Sequence, residues 1–366
     1  MVHAVRSGLE GLAADLQAQR PTLRERAPAY DRIVGELLSL LDDDLAVRDA
    51  LGAALAARTA VAGYDRPLLL LASLRHDALI EGPAHPLHAA IGAGDSDPAA
   101  VSREAVAAAL LRPRALDGIA RRHVQTNETR RAVAWRWPAH LAGASHRARP
   151  LALVDIGASA GLNLVADALP APWTTPDGAP LEVAEDVDVV LRLGLDARPL
   201  DPTHPDDATW LRACIWPGDA PRLARLEAAI EAWRKTPCVV ERADVREVPR
   251  RIAAALEALP PGGLLIAYQT VVREYLPPEV ANAYDTGMRA LLASTPPGRL
   301  AWVELEAGDP ADRVHPAAII VHLRSGDGAT SLQIARCHWH PQTIAVDREA
   351  AKRVSDLLRG GRESAR

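Results

Sequence analysis

The chain has 366 residues, a formal net charge of −5 and 48% hydrophobic against 24% charged residues. That is enough chain for two domains with cores of their own, in an ordinary globular balance, and its acidity argues against a general nucleic-acid binder. No apolar run reaches the roughly 18–20 residues that span a bilayer, and the N-terminus lacks a signal peptide's apolar stretch, so a cytoplasmic protein without a membrane partner is expected.

Residues 1–145 read as helical, with no convincing strand. Apolar residues recur at three- and four-residue spacing over 8–19, 30–41, 45–62, 67–79, 102–111 and 114–137. Pro21, Pro28, Pro67 and Pro113 and the stretch GAGDSDP (92–98) punctuate them. Polar residues 143–150 read as a linker. From residue 151 strands and helices alternate, the signature of a parallel α/β sheet. Strands are expected over 151–156, 187–195, 238–242, 263–269 and 299–306. Helices are expected over 162–169, 207–215, 221–233, 248–259 and 278–293. Segments 319–324 and 331–339 lie too close for a crossover helix and must form a hairpin across 325–328. The expected fold is therefore α/β: a helical domain (1–145), a Rossmann-like seven-stranded sheet ending in an antiparallel hairpin (146–350), and a C-terminal helix with a frayed tail (351–366, fraying from 359).

The sharpest feature is LALVDIGASAGLNL (151–164): an apolar run ends in Asp155, turns through Gly157, Ser159 and Gly161, and continues at helical spacing. Glycines allow close approach of backbone to ligand, and a following helix offers free amides. A dinucleotide fingerprint reads G-x-G-x-x-G, whereas this turn reads D-x-G-x-S-x-G. An acid directly before the first glycine repels a pyrophosphate but suits a ligand with a cationic amino group and hydroxyls. A plain strand–turn–helix with a packing glycine is the competing reading.

Three acids fall at successive strand ends, Asp155, Asp196 and Asp244, where open α/β sheets bind ligands. Junctions favour Asp as turn former or helix cap in any case; for Asp244 the two readings stand level. Asp196 lies farther beyond Asp155 than the ~20 residues of a compact βαβ unit, and Glu182 and Glu185 compete with it. The fourth strand ends in AYQTVVREYLP (267–277), which makes Tyr268, Gln269, Thr270 and Tyr275 candidate substrate or catalytic contacts. In the helical region HVQTNETRR (123–131) is dense in polar groups. Helical spacing there groups Asn127, Arg130 and Arg131, with Gln125 and Glu128 nearby. The tryptophan-containing AVAWRWP (132–138) follows, so Gln125, Asn127, Glu128 and Arg131 are expected to line a substrate cleft. Cys214, Cys238 and Cys337 show neither disulfide nor metal spacing. His338 and His340, on alternating positions of an expected strand, lack a third ligand at a telling distance, so no metal site is assigned.

The first turn resembles motif I of the class I S-adenosylmethionine methyltransferases, and five βα units closed by an antiparallel hairpin resemble their sheet. HVQTNE (123–128), VDIGASAGLN (154–163), LGLD (193–196), WLRACIWP (210–217), YLP (275–277) and HWH (338–340) occur in order. Together, from about residue 67 to 340, they resemble a largely actinobacterial family of unknown function with a methyltransferase-like domain. The resemblance implies S-adenosylmethionine as cofactor, with Asp155, Gly157, Ser159, Gly161, Asp196 and Asp244 around it. The expected function is transfer to a small-molecule acceptor, with the helical domain as lid and acceptor pocket. Ser159 departs from the central glycine of the motif. Transfer or cyclisation of the aminocarboxypropyl arm, and a non-catalytic nucleotide-binding or scaffold role, are the alternatives. Acceptor and oligomeric state are not legible.

Overall fold

In a computed structural model of the chain, residues 6–56, 58–60, 64–92, 94, 96–236, 238–326 and 328–363 are described. They form two compact units: one comprises residues up to Thr126 together with Pro202–Arg225, the other Asn127–Asp201 and the chain from Leu226 onward. Residues 127–145 thus cluster with the sheet.

The first unit is helical. Its chain runs through α1 (Leu12–Arg26), α2 (Pro28–Asp43), α3 (Leu45–Leu55), α4 (Asp65–Glu81), the single turn α5 (His88–Ile91), α6 (Arg103–Leu110) and α7 (Pro113–Arg121). Pro21, read as punctuation, lies inside α1. Leu16, Ile33, Leu51, Leu70 and Ile119 are among its fully buried core residues. α3 ends earlier than its periodicity suggested, and Thr59–Ala60 pairs antiparallel with Arg6–Ser7, a two-residue ladder where no strand was expected. Pro202–Arg225 contributes α9 (Pro205–Ala213) to this unit. Trp210 on it is buried, and its indole N–H donates to the His123 carbonyl at 2.8 Å.

The second unit holds an eight-stranded sheet. Its strands are β1 (Pro150–Ile156), β2 (Asp188–Asp196), β3 (Val239–Arg242), β4 (Leu264–Thr270), β5 (Leu300–Ala307), β6 (Ala317–Ser325), β7 (Gly328–Cys337) and β8 (Ile344–Val346). The order is β8-β7-β6-β5-β4-β1-β2-β3. Pairings from β3 through β5 are parallel, and those from β5 to β8 antiparallel. The expected seven strands are thus eight: β8 adds three residues beyond the hairpin. The continuous apolar run of β1 is buried on both faces, as a central parallel strand requires. Leu151 and Leu153 face a core shared with α8 (Val133–Leu141) and α13 (Arg348–Glu363), while Ala152 and Val154 face α11 (Val248–Ala258) and α12 (Pro278–Ser294). α10 (Ala220–Lys235) precedes β3.

Four local expectations are corrected. Residues 162–169 form a 3-10 stretch, Leu162–Ala168, because Gly161 enters it in the left-handed region and its side chains are claimed by packing. Residues 122–128 are not helical: α7 stops at Arg121, and a 3-10 turn, Thr129–Ala132, leads into α8. β7 ends at Cys337, so His338 and His340 follow it in a bend and do not alternate on a strand. The last helix continues to Glu363, through residues expected to fray, and 364–366 lie outside the described residues. Among the described residues no helix is long and apolar enough to cross a membrane.

Candidate functional site

From β1 the chain crosses to β2 on one side, and β4 later adds on the other. The carboxyl ends of β1 and β4 therefore flank the point where strand order reverses, the position at which open α/β sheets bind ligands. Asp155 stands on β1 beside Tyr268 on β4 and Gly194 on β2.

The turn after β1 holds three residues at positive φ: Gly157 (75°), Ser159 (54°) and Gly161 (71°). A Cβ on Gly157 would stand 2.6 Å from Val272 Cγ2, and one on Gly161 2.8 Å from Val240 Cγ2. Both positions require glycine for space as well as for backbone freedom. Ser159 meets the same left-handed demand with a side chain, at a cost, and its bonds offset that cost. Its N–H donates to Asp196 Oδ2 at 2.7 Å and its hydroxyl accepts from Asn127 Nδ2 at 2.7 Å. Asp196 Oδ1 also accepts from the Arg198 N–H at 2.7 Å.

Asp155 is 3% exposed, and its Oδ2 has no hydrogen-bond partner. Burial pushes this carboxyl well above the usual range. The nearby Tyr268 hydroxyl opposes the rise without completing a hydrogen bond, and the charge of Asp196 adds to it. The Tyr268 hydroxyl is buried and likewise unpartnered; burial and Asp155 push it up too. Two polar atoms orphaned side by side are costly in a folded protein, and at this position in the sheet they face the demand that a polar ligand would meet.

The flank of the turn is built by residues distant in sequence. Asn127, at φ 28°, touches Ser159 as described. Its neighbour Glu128 is 2% exposed, caps the 3-10 turn through the Arg130 N–H, and accepts from His340 Nδ1 at 3.1 Å. Arg131 Nε donates to the Trp339 carbonyl at 3.0 Å, and Arg130 to Gln342 at 3.2 Å. Trp135 Nε1 donates to the Asn163 carbonyl at 2.9 Å. The segments NETRR and HWH, read separately in the sequence, thus meet beside the turn. Gln125 belongs to the helical unit, where its N–H points at Cys214 Sγ, 3.5 Å away.

The remaining sequence candidates sit differently. Gln269 is fully buried and committed: it donates to Glu306 at 3.0 Å and accepts from Tyr284 at 2.6 Å and Trp302 at 3.3 Å. Tyr275 is 45% exposed, in a 3-10 turn after β4. Asp244 forms a capping box with Glu247 and pairs with Arg246; that arginine and the Arg246 N–H hold its carboxyl down at about 2. Glu306, at the end of β5, was missed. It accepts from Gln269 and from the Val272 and Arg273 N–H groups, and burial raises it to about 7 against these bonds. It anchors a loop strained at Val271, φ 59°, a rare conformation for a β-branched residue. The signal was the alternation Glu304-x-Glu306 in an otherwise apolar buried strand.

No curated protein and no solved structure matches the chain. Residues 22–345 match the family described as an uncharacterized protein conserved in bacteria, DUF2332. Since the match covers most of its length, the chain belongs to that bacterial family.

Proposed function

We propose that the protein is a transferase that uses S-adenosylmethionine, most simply a methyltransferase, acting on a small molecule. The observation that carries this reading is the buried, unpartnered Oδ2 of Asp155 at the reversal point of the sheet, beside a turn that side chains would fill. The donor set fits the ligand. Asp155 would accept from its ammonium group, Asp196 from its ribose hydroxyls, and the Ser159 hydroxyl, with Gly157 and Gly161, would leave its backbone close to the arm. When bound, the ligand supplies an alkyl group activated by a positively charged sulfur.

The residues around it do the rest. Burying Asp155 keeps water from competing for the ammonium. Glu128 fixes the His340 ring through Nδ1–H, which makes Nε2 the basic nitrogen. In this reading His340 takes the proton that an O–H or N–H acceptor must lose, and Arg131 orients an acidic group of the acceptor. Tyr268 belongs to the Asp155 end of the site and Tyr275 to its exposed rim, whereas Gln269 positions the β4–β5 end through its three bonds. Asp244 is assigned the adenine amine in competition with its own helix cap.

Titration of the purified protein with S-adenosylmethionine, followed by displacement with S-adenosylhomocysteine, tests the reading. One saturable site per chain, emptied by the second ligand, is expected. Absence of heat and of any shift in melting temperature with both ligands overturns it.

A further inference from the structure

Away from that turn, β5, β6 and β7 carry a row of side chains that the proposed transfer does not use. Glu304 on β5, His322 on β6 and Ser331 on β7 lie side by side across the antiparallel pairs, His322 standing opposite Trp302 and Ser331 in register. His322 Nε2 is 2.8 Å from Glu304 Oε2, and its Nδ1 is 2.7 Å from Ser331 Oγ. The side chains of Glu304 and His322 are each 5% exposed, whereas Ser331 is exposed.

The row is rigidly supported. Arg273 Nε donates to Glu304 Oε1 at 2.6 Å, and Asp285 holds the other end of that guanidinium at 2.6 Å. The Trp302 indole stacks on the imidazole, with centroids 4.2 Å apart and planes inclined by 26°. Glu304 accepts only, so the proton on the ring sits on Nε2 and Nδ1 is left to accept from the Ser331 hydroxyl. A buried acid orienting a buried base, and that base holding an accessible hydroxyl, is the arrangement that activates a serine. The edge of the sheet adds a further element. β8 pairs with β7 only over Ala335–Cys337, so alternate amides of 328–334 point outward with no strand opposite them among the described residues.

We infer that Ser331, His322 and Glu304 form a second reactive site, which takes activated acyl esters. The Ser331 hydroxyl passes its proton to His322 Nδ1 as Oγ bonds to the acyl carbon. The outward amides of β7 donate to the oxyanion, the ester C–O bond breaks, and the leaving alcohol takes the proton from His322. Water repeats the sequence on the acyl-serine and releases the acid. The inference does not depend on the S-adenosylmethionine reading.

An alkyl fluorophosphonate probe, with intact-mass measurement and peptide mapping, tests it on the full chain, alongside hydrolysis of p-nitrophenyl acetate. A single adduct is expected, on Ser331. Ser331→Ala, at an exposed position that leaves the fold unaltered, should abolish it and lower ester hydrolysis at least tenfold. Glu304→Gln should slow labelling at least tenfold. No adduct, an adduct elsewhere, hydrolysis unchanged in Ser331→Ala, or labelling unslowed by Glu304→Gln in a protein of native circular dichroism would each overturn the inference.

Discussion

Ser159 holds the left-handed conformation for which this turn otherwise uses glycine, and it does so because Asp196 and Asn127 bond its amide and hydroxyl. The same turn makes Gly157 a test of close packing. Gly157→Ala should cost about 1–2 kcal/mol in urea-induced unfolding from the left-handed backbone alone, plus the displacement of Val272 Cγ2. Adding Val272→Ala should recover the second part and leave the first. A double variant with no coupling between the two sites would show that the turn relaxes around the new methyl group. At Asp244 two roles compete. Asparagine caps helices as well as aspartate does, and the exposed pair with Arg246 is worth little, so Asp244→Asn should leave stability almost unchanged. If Asp244 accepts from the adenine amine, the variant weakens S-adenosylhomocysteine by roughly 1–2 kcal/mol but leaves unaffected an analogue lacking that amine. Equal losses for both ligands would reduce Asp244 to a cap.

At the scale of elements, the backbone of the strained segment after β4 is held by the Glu306 carboxyl, which accepts from the Val272 and Arg273 N–H groups. Burial raises that carboxyl from its ordinary 4.5 to about 7. A group bound more tightly to its proton in the folded state stabilises fully below pH 4.5, and the contribution fades as pH rises through about 7. The wild type should therefore lose stability in urea relative to Glu306→Gln between pH 5 and pH 8, by up to about 3 kcal/mol. A difference constant with pH would mean that Glu306 stays ionised throughout. The strand–turn of 151–161 was legible because a central parallel strand needs an unbroken apolar run and its turn needs residues tolerant of positive φ. Asp155 was legible with it, as the polar residue closing that run. Residues 122–128 were misread because their polar side chains recur at helical spacing, yet Asn127 and Glu128 bond to Ser159 and His340. The Glu128–His340 pair joins residues 212 apart, and no local pattern announces such a pairing. β8 was missed because three residues carry too little alternation to show a period.

At the scale of the whole chain, Pro202–Arg225 leaves the sheet's sequence to complete the helical unit. Trp210 and Ile215 are buried there, and Trp216 packs on the helical core. Deleting residues 1–126 should therefore strip that segment of its partners, raise binding of an apolar dye severalfold and promote association. A monomeric deletion variant with unchanged dye binding would contradict the division into these units. The matched family spans both units, since residues 22–345 include all of α2 and all of the sheet except the last residue of β8. The claim on which the functional account rests is that the buried Asp155 carboxyl, whose Oδ2 has no partner, receives a ligand's ammonium group. Calorimetric titration of the wild type and Asp155→Ala with S-adenosylhomocysteine and with 5′-methylthioadenosine, which lacks the amino-acid arm, tests it most directly. The account predicts that the variant loses at least tenfold in affinity for the first ligand, about 1.4 kcal/mol, and nothing for the second. Equal losses for both ligands, or a wild type that binds neither, would contradict it.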